Sequence, residues 1–178
     1  MTTAADVISF WRAAGPQAWF AKDAAFDDRF RATFGAAHEA AVDGELADWE
    51  ATPDGSLALI LLLDQFPRNC FRESSRMFAS DTMAVAAADR AIAAGHDKAV
   101  TDDVRLFFYL PYEHAENMAL QERAVELIRP LGAELLHFAE VHRDIIARFG
   151  RFPHRNKLLG RVSTPEELEF LSAGGFAG

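Results

Sequence analysis

Residues 57–63 read Leu-Ala-Leu-Ile-Leu-Leu-Leu, seven aliphatic side chains with no polar position among them. Wound as a helix, such a run is apolar on every side, so other elements must cover it on every side. The turn Pro53-Asp54-Gly55 precedes it, and the helix is expected to run from about residue 56 to 65. Pro67 should stop it, because proline lacks an amide donor and restricts the residue before it. Seven residues are far short of the roughly 20 that span a bilayer, so the run belongs to a protein core. The chain has 178 residues, enough for such a core. A domain of this size buries roughly 70% of the surface its unfolded chain exposes. It reads as one domain, 1–178, with a frayed tail over 173–178.

The surrounding segments supply helices to do the covering. Thr3 to Asp6 has the form of a capping box ahead of a helix that reaches about Ala13 and breaks at Gly15-Pro16. Phe26, Phe30 and Phe34 recur every fourth residue, and Ala37 and Ala41 extend the stripe along a helix over 24–43. A short helix is expected over 45–52. Ser80 or Asp81 caps an alanine-rich helix that Gly95 closes. A helix follows over about 103–110. Pro111 then kinks it or starts the next, which runs to Ile128. Over 131–149, Leu135, Phe138, His142, Ile145 and Phe149 keep helical spacing, and Gly150 ends the helix. Thr164-Pro165-Glu166-Glu167 is a further helix start. No stretch alternates with period two. The expected fold is all-α, an array of antiparallel helix hairpins without a recognisable sequence repeat.

Eighteen basic against twenty-seven acidic residues give a formal charge of −9. Such a surface repels nucleic acid and anionic membranes, so neither is expected as a partner. A single cysteine, Cys70, precludes an internal disulfide and suits the cytoplasm. The N-terminus lacks the basic and long apolar regions of a signal peptide. Against this acidic background, residues 148–156 read Arg-Phe-Gly-Arg-Phe-Pro-His-Arg-Asn. With Arg161 they hold four guanidinium groups, more than one helix end requires. Arginine forks suit carboxylates and phosphates, and the interleaved Phe149 and Phe152 would exclude water. Arg148 also has a plain structural partner in Asp144, one helical turn away.

Asp64 closes the aliphatic run on the face of Leu57, Ile60 and Leu61. A buried carboxylate at a helix C-terminus needs a partner. Arg68 is the local candidate, and Arg151 and Arg155 the distant ones. His142 lies on its helix's apolar stripe. His114 stands between Glu113 and Glu116, on a helical line through Met118, Gln121 and Val125. The spacing Glu134-Leu135-Leu136-His137 occurs once, where a di-iron bundle needs it twice with two further glutamates. No metal or cofactor is assigned. Phe66-Pro67-Arg68-Asn69 is echoed by Phe152-Pro153-His154-Arg155-Asn156, each after a helix end.

Several stretches together resemble a bacterial family known as domain of unknown function (DUF) 924. They are Leu61 to Asn69, Tyr109 to Glu116, Arg148 to Asn156 with Leu159-Gly160-Arg161, Thr164 to Glu167, and Trp19 to Asp23 with Phe26-Asp27. Ala115 departs from the family pattern, which usually has serine there. The resemblance implies a helical fold similar to the tetratricopeptide-repeat-like superfamily and no established reaction. The family's recognisable polar positions fall on Asp64, Arg68, Asn69, Glu113, His114, Glu116, Arg148, Arg151, His154, Arg155 and Asn156.

Two functions are compatible with these residues. One is a small-molecule site for an anionic or polar ligand, with Asp64, Glu113 and His114 as acid/base groups. Arg68, Asn69, Arg148, Arg151, His154, Arg155 and Asn156 would then bind the ligand. The other is a scaffold that binds a peptide, in which the same polar residues stitch helix ends together. The sequence does not determine the oligomeric state.

Overall fold

The computed structural model describes residues 2–176, and no strand occurs among them. The all-α expectation holds. The chain divides into two compact units: residues up to Arg72 with Arg76–Pro111, and Glu73–Ser75 with Tyr112 onward.

In the first unit, α1 (Ala4–Ala14) starts at the expected capping box, with Asp6 accepting from the Thr3 amide at 2.8 Å. α2 (Ala24–Val42) is capped by Asp23 and buries the whole Phe26, Phe30, Phe34, Ala37 and Ala41 stripe. The segment expected as a helix over 45–52 is a tighter 3₁₀ turn, Ala47–Ala51. α3 (Pro53–Ile60) packs against α1 and α5 (Asp81–Ala93). None of residues 57–63 is more than 4% exposed, as an all-round apolar helix requires.

The predicted stop at Pro67 does not occur. Instead the helix widens into a π turn, Leu61–Gln65, and continues as α4 (Phe66–Cys70) with Pro67 in its first turn. The reason lies in the carbonyls. A proline at 67 leaves the oxygens of Leu62 and Leu63 without the helical donor they would otherwise share. His38 donates Nδ1–H to Leu62 O at 2.9 Å, and the Ser80 hydroxyl donates to Leu63 O at 2.6 Å. With both oxygens satisfied, the proline costs the helix little. Ser80 is consequently spent, and it precedes α5 without making a side-chain cap bond.

In the second unit, α6 (Met118–Ile128) and α7 (Ala133–Phe149) pack against each other. Gly150 ends α7 in the left-handed conformation, φ 70°. The 3₁₀ turn Pro153–Arg155 and α8 (Pro165–Ser172) follow, α8 starting with the Thr164/Glu167 capping box. Ile145, Ile146 and Phe152 form a core joined by Met118, Val141, Phe149, Phe170 and Phe176. Phe138, expected on the buried stripe of α7, is 50% exposed. No continuous helix joins Pro111 to Ile128. A helical turn ends at Glu113, and Asn117 caps a new helix by accepting from the Leu120 amide at 3.2 Å. Of the tail expected over 173–178, residues 177 and 178 lie outside the described residues, while Phe176 packs on the core. No described helix is long and apolar enough to cross a membrane.

Candidate functional site

The break after Glu113 creates the most chemically loaded part of the second unit. Gln121, fully buried, donates its side-chain amide to the carbonyls of Glu113 at 2.6 Å and Ala115 at 2.8 Å. That traps residues 113–117 as a turn, so His114 does not lie on the α6 face the sequence suggested. Glu116 then reaches the turn after α7. It accepts from the Phe152 amide at 2.8 Å and from both ends of the Arg161 fork at 2.6 and 2.8 Å. Burial alone would raise the Glu116 pKa. The Arg161 hydrogen bonds, the Phe152 amide and the charges of Arg161 and Arg155 outweigh it and hold the carboxyl below its ordinary value.

These contacts bring α7 and the turn together at His142. This residue is 8% exposed and Glu113 5%. His142 Nδ1 lies 2.8 Å from the carbonyl of Phe138 and 3.2 Å from Glu113 Oε1. Both neighbours are acceptors, so Nδ1 carries a proton, and whenever the ring is neutral its lone pair is on Nε2. Phe152 meets the imidazole nearly edge-on at 5.5 Å, and His114 lies 6.4 Å away. Phe176 approaches both His142, at 4.5 Å, and His154, at 5.4 Å. The Arg155 guanidinium, in a residue 6% exposed, stacks 4.4 Å over the Phe152 ring. Glu113, His114, His154 and Arg155 are thus drawn into one cluster around a residue, His142, that the expected site set omitted.

The remaining expected ligand-binding residues of this unit have structural work. Arg148 pairs with Glu166 at 3.0 Å rather than with Asp144, which Arg143 takes at 2.7 Å. Arg151 grips Glu167 with both ends of its fork, at 2.6 and 2.8 Å, and Asn156 donates to the same carboxylate at 3.1 Å. The Arg151 bond above all, with the Thr164 amide and Asn156 adding to it, brings the Glu167 pKa down to about 2.

In the first unit, Asp64 is 1% exposed and sits inside the π turn, not at a helix end. The local candidate is its partner: Arg68 Nη1 lies 3.0 Å from Asp64 Oδ1 and 3.0 Å from Asp81 Oδ1. Burial disfavours the Arg68 charge, but the two carboxylates more than offset this and raise its pKa. Gln65 donates to the other Asp64 oxygen at 2.7 Å. The neighbouring Asn69 is 4% exposed, and its Nδ2 makes no hydrogen bond to the described residues. Cys70 is buried, and burial pushes its thiol up to about 12, out of reach of nucleophilic duty. Among the described residues, no three His, Cys, Asp or Glu side chains converge as metal ligands would.

The family model described as bacterial protein of unknown function, DUF924, matches residues 7–175. The chain belongs to that family. A solved structure of a protein of unknown function from Agrobacterium tumefaciens is 57% identical to it. The match covers 96% of this chain and 97% of that one, with a TM-score of 0.95. No curated protein matches. In this DUF924 chain His142, Gln121 and Phe176 lie outside the site set that sequence reasoning gives. His142 has an apolar-stripe position, which marks a packed residue as readily as a working one. Phe176 follows two glycines near the end of the sequence, a context that reads as loose chain. The signal for Gln121 was present: an amide on the inward line of α6 had to bond something.

Proposed function

We propose that the second unit holds a small-molecule site in which His142 exchanges a proton with a polar or anionic ligand. The observation that carries this reading is the anchoring of His142 Nδ1 between the Phe138 carbonyl and Glu113. A carboxylate behind an imidazole fixes its tautomer and stabilises the imidazolium formed when Nε2 takes up a proton. Glu113 is then a positioning residue, and His142 takes the acid/base role. Arg155 and His154 supply positive charge or hydrogen bonds for the ligand. Phe152 provides the apolar wall that strengthens such contacts. Arg148, Arg151 and Asn156 hold the turn and do not enter the site.

Arg148, Arg151 and Arg161 are all matched with glutamates, and this favours a second reading for that part of the chain, a scaffold whose polar residues join helix ends. A thermal-shift screen with sugar phosphates, nucleotides, dicarboxylates and short peptides separates the two. Ligand binding to the native state raises the melting temperature. His142→Asn keeps a donor in the place of Nδ1 and removes Nε2. An anion that stabilises the wild type and fails to stabilise this variant supports the proton-transfer site. If no anion shifts the wild type, or both proteins shift equally, that site is refuted. A shift by peptides alone favours the scaffold.

A further inference from the structure

We infer that the ring of Phe176 occupies an aryl-binding subsite of the His142 site. Residues 174–176 then form a cover that a ligand bearing a planar aromatic group displaces. The inference rests on the site proposed above and names the class of its ligand.

The chain is turned back onto the site by a built feature. α8 ends at Ser172, and Gly174 adopts φ 83°, a left-handed conformation that L side chains rarely take. The Gly175 amide donates to the Phe170 carbonyl at 2.9 Å. A Cβ on Gly175 would fall 2.5 Å from that same oxygen and 2.6 Å from the Phe170 ring. Both glycines are therefore required for the turn, and the turn delivers Phe176. Its ring receives His142 at 64° and His154 at 73°, the inclined arrangement that aromatic rings prefer. Phe152 contacts both of those histidines, at 5.5 and 5.7 Å, and carries the Arg155 guanidinium at 4.4 Å. A slot bounded by imidazole faces and edges, with a guanidinium stacked on its wall, suits an aryl ring that bears a carboxylate or similar anion. Phe176 is half-buried and tethered through a two-glycine turn, so its ring is the part of this cluster most readily exchanged for a ligand.

The test uses carbethoxylation of histidines by diethyl pyrocarbonate, mapped by peptide mass spectrometry on the full chain. Buried His38 and exposed His137 serve as internal references. A cover open no more than about 10% of the time predicts that Phe176→Ala speeds modification of His142 by about tenfold or more. Gly175→Val, which displaces the turn while keeping the phenylalanine, should give the same acceleration. In Phe176→Ala, benzoate should restore the slow rate, while acetate and cyclohexanecarboxylate should not. Rates at His142 within about twofold of wild type in both variants would overturn the cover. Equal protection by benzoate and cyclohexanecarboxylate would overturn the aryl subsite. The acceleration is read without any ligand, so the cover fails or survives independently of the His142→Asn screen.

Discussion

Replacing Glu167 with glutamine tests whether the arginine-rich turn is held by charge matching. The carboxylate is 2% exposed, takes two bonds from Arg151 at 2.6 and 2.8 Å, and also closes the α8 capping box from the Thr164 amide at 2.8 Å. Its pKa falls from 4.5 to about 2 on folding. At about 1.4 kcal/mol per pH unit this corresponds to about 3 kcal/mol of stability. Arg151 is 28% exposed and keeps part of its hydration, which brings the expected figure nearer to ~2 kcal/mol. A depressed folded-state pKa contributes stability that is fully present above the unfolded value of 4.5 and is lost as pH falls through about 2. Urea unfolding of wild type and Glu167→Gln should thus differ by about 2 kcal/mol at pH 7. The difference should shrink below pH 4.5 and approach zero near pH 2. Combining the change with Arg151→Ala should reveal a coupling of at least about 1 kcal/mol. A difference independent of pH, or purely additive variants, would refute the argument and return Arg151 to the pool of ligand-binding arginines.

Three further outcomes follow from buried groups. Phe152→Ala removes a fully buried ring from the core of the second unit and should destabilise it by about 3–5 kcal/mol, read by urea or thermal unfolding. Gln121→Leu leaves the carbonyls of Glu113 and Ala115 without their donor and should cost about 1–3 kcal/mol. Loss of amide protection confined to α6 and residues 113–117 in hydrogen exchange would be its signature, and unchanged protection would count against the trapped turn. Cys70, with its thiol pushed up to about 12, should resist an aromatic disulfide reagent at pH 8 in the native protein and react promptly once unfolded.

What could be read from the sequence was whatever is decided within a few residues. The caps at Thr3 and Thr164, the phenylalanine stripe of α2 and the left-handed end of α7 at Gly150 follow from local geometry. So does the burial of residues 57–63, because an all-round apolar helix has nowhere else to go. Partner choice was harder. Arg148 has Asp144 one turn away and yet bonds Glu166, eighteen residues on, while Asp144 is taken by its neighbour Arg143. Short-range rules rank candidate partners by spacing, but which pair forms depends on where α8 docks, and no local pattern carries that. The same limit hid the candidate site. Glu113 meets His142 because Gln121 stops a helix that periodicity alone would continue.

The two Phe-Pro echoes show the difference most directly. Phe66 and Phe152 are both fully buried, both are followed by a buried proline, and Asn69 and Asn156 are both buried in turn. The punctuation is nearly the same and the outcomes differ: α4 continues a helix through Pro67, whereas Pro153 opens a 3₁₀ turn. The deciding factor lies outside both motifs. At the first, His38 and Ser80 collect the carbonyls that the proline leaves unbonded, so the helix persists. At the second, Gly150 has already reversed the chain, and the Phe152 amide is claimed by Glu116 in place of a helical carbonyl. A proline therefore breaks a helix only where no side chain from elsewhere takes over the acceptors it abandons. On that account, replacing both His38 and Ser80 with alanine should make Pro67 behave as the sequence alone suggests. Amide exchange over residues 66–70 should then accelerate while α2 stays protected, and protection unchanged at 66–70 would show that the π turn suffices without those donors.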